Sequence, residues 1–254
     1  MTTNRARVFQ IEKDEFDVNK VFLTRVKGKD RLNLYLNYKE DDQSYPLLFQ
    51  TPKMFTVRGA VQQLDGDKQP IPGKYVIELA INPEDGDAFA AFEKKLEALD
   101  ERILAQCTEH LADLYKREMP RGVTDLPTFI RGFYSPLLRM PSDPKYSNSI
   151  RFKLYTSKQI ETVWTGHACT NEDRTKNVPI LDPDDPDYVP TKYARVVIIS
   201  KINLAKINKN IYPTCAAQRM LIEPSRRDTV DFVDIEETDE SGSPKESDFH
   251  SDEE

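Results

Sequence analysis

The chain has 254 residues, 38% of them hydrophobic, enough for one large or two small domains with an ordinary core. Its 36 basic and 43 acidic residues give a formal net charge of -7, but residues 228–254 hold 12 acids against the single base Lys245, which leaves the body mildly basic at +4. No run approaches the ~20 apolar residues of a membrane span. The opening Met1-Thr2-Thr3-Asn4-Arg5 lacks the apolar core of a secretory signal, and the odd, scattered set Cys107, Cys169 and Cys215 argues for a reducing, intracellular setting rather than a disulfide framework.

Residues 1–20 are polar and mixed in charge, and read as an N-terminal arm with one short strand around Val8–Ile11. Lys20–Lys27 and Arg31–Lys39 form two strands joined by Gly28-Lys29-Asp30, a turn of hairpin length. In the second strand Leu32, Leu34, Leu36 and Tyr38 share one face and Tyr35 lies on the other, as a candidate exposed ring. Residues 45–62 carry two more short strands interrupted at Pro52. After a turn over 65–73, Lys74–Ile81 is a strand of strong β formers.

An Asp within Pro83–Asp87 is available to cap a long helix over 87–117. There Phe89, Phe92, Leu96, Leu99, Ile103, Cys107, Leu111 and Leu114 recur every three or four residues, one apolar stripe made to pack on a sheet. A Pro-rich connection over 120–148 carries Phe129, Phe133, Tyr134 and Tyr146. Ser149–Ser157 then alternates: Ile150, Phe152 and Leu154 face one way, and Arg151, Lys153 and Tyr155 the other. Thr162–Gly166 is a shorter strand with Trp164, 171–190 a polar loop, Ala194–Lys201 an apolar strand, Lys206–Asn210 a polar turn, and Ala216–Glu223 a last strand.

Many short strands, one long helix and no alternation of strand and helix predict a mainly β fold, an oligonucleotide-binding (OB)-like barrel over residues 21–227 with room for an extra N-terminal β element. Residues 228–254 have the composition of a disordered acidic tail.

Charge is unevenly placed in the body. From Arg131 to Lys158 six bases stand against Asp143 alone, and from Lys192 to Arg227 eight stand against Glu223. Cations beside exposed rings suit a single-stranded nucleic acid, the cations meeting phosphates and the rings stacking bases. The candidate contacts are Tyr35, Arg131, Tyr134, Arg139, Lys145, Tyr146, Arg151, Lys153, Tyr155, Lys201, Lys206, Lys209 and Tyr212. Cys107 with His110, and His167 with Cys169, have zinc-ligand types at spacings of no standard finger; the aspartates at 182, 184, 185 and 187 sit among prolines, without the glycine of a calcium loop. No metal or cofactor is expected, and no nucleotide-loop or nucleophile motif nominates an enzyme.

The order of features resembles the single-stranded DNA-binding proteins of T-seven-like phages and their relatives in large nucleocytoplasmic DNA viruses. The resemblance lies in Lys74–Pro83 running into the helix Phe89–Tyr115, in Ser149–Tyr155, in the closing pair Arg195–Lys201 and Ala216–Glu223 around Tyr212, and in the acidic tail. The family's tail ends in an aromatic residue, whereas Phe249 here lies five positions before the end. The resemblance implies a non-enzymatic protein of DNA replication or recombination in an infected cell, in its cytoplasm or nucleus. It also implies that residues 228–254 contact a polymerase or helicase and compete with DNA. A homodimer stays open. The competing expectation is a structural or scaffold β-protein of a viral particle or complex, whose basic face meets an acidic protein partner.

Overall fold

The computed structural model of the chain describes residues 7–27, 32–155, 161–164 and 194–223, with backbone alone at 27, 32, 33, 73, 155, 161–164 and 223. Trp164, the aspartate loop, Cys169 and the acidic tail therefore fall, as side chains or entirely, outside the described residues.

Twelve strands join in one sheet. β1 (Val8–Gln10), β2 (Val21–Lys27), β3 (Leu32–Glu40), β4 (Gln43–Pro46) and β5 (Leu48–Gln50) precede the long hairpin of β6 (Met54–Leu64) and β7 (Pro70–Ile81). Helices α1 (Asp87–His110), α2 (Ala112–Glu118) and α3 (Leu126–Arg131) follow, then β8 (Leu138–Arg139), β9 (Asn148–Tyr155), β10 (Glu161–Trp164), β11 (Arg195–Ile207) and β12 (Asn210–Glu223). The turns are held locally. Asp65 Oδ1 accepts from the Asp67 and Gln69 amides at 2.9 and 2.8 Å, and the left-handed residue Asn208 (φ 52°) lets β11 and β12 turn in two residues.

Five strands pair in a closed circuit. β6 lies antiparallel to β7, β7 to β9, β12 to β11 and β11 to β6, while β9 and β12 run parallel. β11 is the trunk: β12 takes one of its edges, and β6, β5 and β3 take the other in turn along its length. Through β3 the meander β2–β3–β4 joins the same sheet. The N-terminal stretch belongs to the core as well, because β1 pairs with β5 and Phe9, Ile11 and Phe16 are buried.

The alternation along each strand decides what is inside. Ile77, Leu79, Ile150, Phe152, Leu154, Val196, Ile198, Ile202, Ile211 and Cys215 point inward and are buried. The helical stripe of Phe92, Leu96, Leu99, Ile103, Cys107 and Leu111 is buried with them in one core.

The predicted single helix over 87–117 is two. Leu111 leaves helical geometry (φ -113°, ψ 6°), and beyond it Tyr115 enters the core with its hydroxyl on the Lys209 carbonyl at 2.6 Å. The cap also differs: Gly86, not an aspartate, precedes α1, and its φ of 134° suits a residue without Cβ. Polar side chains fasten both flanks of α1. On one, Lys95 Nζ donates to Phe16 O, Arg102 Nε to Val21 O, and Gln106 Oε1 accepts from Leu23 N, at 2.7 to 3.0 Å. On the other, buried Asp100 accepts from the Leu137 and Leu138 amides and the Tyr134 hydroxyl, at 2.9, 3.1 and 2.6 Å. Asp100 thereby ties the start of β8, which pairs with β9, to α1.

Candidate nucleic-acid interface

Residues in register on neighbouring strands project to the same face of a sheet, so the ladders sort the side chains. Lys153 stands opposite Val76 on β7 and opposite Ala216 on β12, and Ala216 stands opposite Lys201 on β11. This outward row crosses β7, β9, β12 and β11. Two residues along β9, Arg151 stands opposite Glu78, and at the other end the β7 partner of Tyr155 is Lys74. Arg139 of β8 pairs with Ser149 and so joins the same face. One row further down β11, Asn203 pairs with Tyr35 of β3, which extends the outer face onto the meander.

Lys74, Arg139, Arg151, Lys153 and Lys201 are thus among the cations of this face. Among the described residues, one carboxylate answers them. Glu78 accepts from the Ser149 hydroxyl at 2.7 Å and pairs with Arg151 at 3.3 Å. Burial works against the Glu78 charge, but the Ser149 bond, Arg151 and Arg139 outweigh it and hold its carboxyl below the usual range. The cations crowd one another. Lys153 is pushed below the ordinary lysine value, first by partial burial and then by the charge of Lys74. Arg139 is lowered first by partial burial and then by Arg151, against the opposing pull of Glu78. Lys74, Arg139 and Lys153 form no ion pair with a described residue. Like charges brought together without matching acids lower their mutual repulsion when an anion arrives.

Exposed rings lie beside cations at two places. Tyr35 is exposed, and Lys201 Nζ lies 6.0 Å from its ring centroid. Tyr146 is the most exposed of the tyrosines in question at 61%, with Lys145 Nζ 4.9 Å from its centroid. Tyr212 projects from β12 and is half-buried.

Known proteins offer only loose parallels. No protein-family model matches the chain, and no curated protein matches its sequence. Among solved structures, the chain is similar to a single-stranded DNA-binding protein encoded by bacteriophage T7, with a TM-score of 0.43 and 12% identity over 73% of this chain and 96% of that one. It is also similar to the single-stranded DNA-binding protein from bacteriophage Enc34 (TM-score 0.36, 14% identity, 85% and 98% covered) and to that protein in complex with single-stranded DNA (0.35, 12%, 80% and 94%). Agreement at this level transfers no residue role.

Of the expected contacts, Tyr35, Arg139, Arg151, Lys153 and Lys201 come together on one face, and the Tyr155 side chain is outside the described residues. Others are committed elsewhere. Arg131 forms a two-pronged pair with Glu101 at 2.7 and 2.6 Å. Tyr134 spends its hydroxyl on Asp100, and burial raises its pKa well above the usual tyrosine value. Lys206 was expected in a turn. It lies within β11 and points inward, bonded to Glu118 Oε1 at 3.1 Å and set over the Tyr115 ring at 4.9 Å, because the strand runs on to Ile207 and keeps its alternation. Lys145 is paired with Asp143 at 2.7 Å, and Lys209 Nζ sits 5.9 Å from the Phe133 ring at the hairpin tip. Cys107 is buried in the core, which pushes its thiol up to about 12.

Two residues of the face escaped the sequence. Lys74 opens a strand of β formers, and its alternation with Val76 and Glu78 was visible; its position opposite Tyr155 comes only with the register. Asn37, beside Tyr35, carries no charge or ring to mark it.

Proposed function

We propose that this protein binds single-stranded DNA without sequence preference across the outer face of β7, β9, β12 and β11, as a non-enzymatic intracellular component of replication or recombination. One observation carries the reading: Lys74, Arg139, Arg151 and Lys153 gather on one face, where Glu78 is their one acid among the described residues, and Lys153 and Arg139 are lowered first by partial burial and then by a neighbouring cation. A self-contained surface has no use for that repulsion, whereas a polyphosphate chain relieves it and releases its own counterions. The exposed ring of Tyr35 on the same face supplies a stacking surface that any base can use.

The architecture supports the same reading. Five strands in circuit, with β9 and β12 parallel and the helices between β7 and β9, suit an OB-like barrel, whose outer strand face is a common seat for oligonucleotides. Residues 228–254, at net -11, act in this proposal as an intramolecular rival for the basic face and as a handle for replication proteins.

The test is binding of a labelled poly-dT strand of ~30 nucleotides against the matched duplex across a salt series, with the full chain and a variant ending at Arg227. Tighter binding to the single strand, weakened by salt and strengthened by loss of the tail, is the expected result. Equal affinity for duplex and single strand would overturn the proposal in favour of a scaffold surface.

A further inference from the structure

Where the meander leaves β11, Thr24, Tyr35, Leu36, Asn37, Pro46 and Lys201 line a hollow of about 250 Å³. That is smaller than the ~300 to 1,000 Å³ of sites for drug-sized ligands, and no acidic residue lines it. Its chemistry is specific. The Asn37 amide nitrogen donates to Thr24 Oγ1 at 2.9 Å and, at 3.5 Å, to the Tyr35 carbonyl. The amide nitrogen is thereby turned to the protein, firmly to Thr24 and weakly to Tyr35, and the carbonyl oxygen is the group left to offer. Tyr35 supplies an exposed ring beside it, with Lys201 Nζ 6.0 Å from the ring centroid.

Building on the single-strand reading above, we infer that this hollow is a base subsite that receives one nucleotide of an unpaired strand leaving the β9–β12–β11 face. Its base stacks on Tyr35, its pairing edge donates to the Asn37 carbonyl oxygen, and its phosphate meets Lys201. The four bases all carry an N–H on the pairing edge: the exocyclic amine of adenine and cytosine, ring N1–H and the amine of guanine, ring N3–H of thymine. A lone acceptor therefore serves every base and chooses none. In a duplex those same hydrogens are already spent, so the contact reports that a base is unpaired rather than which base it is. Stacking on Tyr35 adds the same distinction, because bases inside a duplex cover one another's faces.

The geometry makes the subsite continuous with the cationic face. Tyr35 pairs with Asn203, β11 pairs with β12, and β12 with β9 at Lys153. Three strand spacings separate Tyr35 from Lys153, ~14 Å at ~4.8 Å each, a span that a few nucleotides cover. Lys201 stands between them on β11, in the same outward row as Lys153. The meander thus lengthens the track by one aromatic step.

The test compares the full chain with its Tyr35→Ala, Asn37→Leu and Lys153→Glu variants, each binding a labelled dT12 strand and the matched 12-base-pair duplex, with circular dichroism to establish that each variant is folded. Tyr35→Ala should weaken dT12 binding on the order of tenfold and leave the duplex nearly unchanged. Asn37→Leu should narrow the ratio between single strand and duplex, whereas Lys153→Glu should weaken both ligands alike. As an independent measure, a Tyr35→Trp variant should gain fluorescence that dT12 quenches on binding. Wild-type affinity for dT12 in both Tyr35→Ala and Asn37→Leu, with Lys153→Glu still impaired, would overturn the subsite and leave the wider proposal standing. No preference of the unaltered chain for dT12 over the duplex would overturn both.

Discussion

Two parts of the molecule use the same residue types to opposite ends. Around α1 and α2, cations are consumed by the fold: Arg25 pairs with Asp113, Arg131 with Glu101, Lys206 with Glu118, and Arg102 and Lys95 donate to backbone carbonyls. On the outer face of β7, β9, β12 and β11, cations are set beside one another instead, with Glu78 as their one acid among the described residues. The number of bases in a stretch therefore says little about binding. What separates the two groups is whether each cation has a partner of its own or several crowd around one.

The contrast is open to direct attack. The largest effect on binding is expected from reversing both exposed cations of β9: Arg151→Glu with Lys153→Glu should reduce poly-dT affinity by roughly a hundredfold or more at low salt. It should also flatten the salt dependence by about 1.4, two phosphate contacts at ~0.7 each for single strands, as read by titration from low to high salt. If the slope stays at its wild-type value, β9 does not touch the strand.

On the structural side, Asp100→Ala should cost about 2–4 kcal/mol of stability in urea unfolding, because it orphans the buried Leu137 and Leu138 amides and frees the Tyr134 hydroxyl. Tyr134→Phe removes one of those three bonds and should cost about 1–2 kcal/mol. Neither should change the salt slope of DNA binding in protein that remains folded.

A smaller effect follows from pH. Burial, partly offset by the bonds from Leu137, Tyr134 and Leu138, raises the Asp100 carboxyl above its ordinary value. The folded chain then holds this proton to higher pH than the unfolded chain does. The contribution of Asp100 is therefore full below its unfolded value, and stability falls as pH climbs from there through the raised folded value. The difference in urea midpoint between wild type and Asp100→Asn, measured at steps across that acid range, should carry this slope; a difference that stays flat with pH would contradict it. Smallest of all, Arg131→Ala should leave poly-dT affinity and its salt slope unchanged, since the exposed Arg131–Glu101 pair lies away from the cationic face.

Much of the strand plan was legible. Period-two alternation placed Ile150, Phe152 and Leu154 inside and Arg151 outside, and it left Tyr35 exposed, because each of those strands has one buried face and therefore a fixed side-chain set. The apolar stripe of α1 was equally plain. Partnership was not legible. Arg131 and Arg139 lie eight residues apart in one basic stretch, yet one meets Glu101 on a helix thirty residues upstream while the other meets a second arginine across the β8–β9 ladder. Such distinctions arise from pairings between distant segments, which local pattern does not encode. The break at Leu111 and the short helix α3 were missed for a related reason: tertiary contacts by Tyr115 and Ile130 outweigh weak local preference.

The trunk strand β11 also sets when the molecule can assemble. It is made late in synthesis, yet β3, β5 and β6, all made early and paired on one side with β2, β1 and β7, each find a further partner on its edge. Until residues near 200 leave the ribosome, those early strands wait with an edge unpaired, and the circuit cannot close before β12 follows. Pairings this far apart along the chain make the fold slow to close by topology, and they leave the early strands with an edge exposed until β11 is in place.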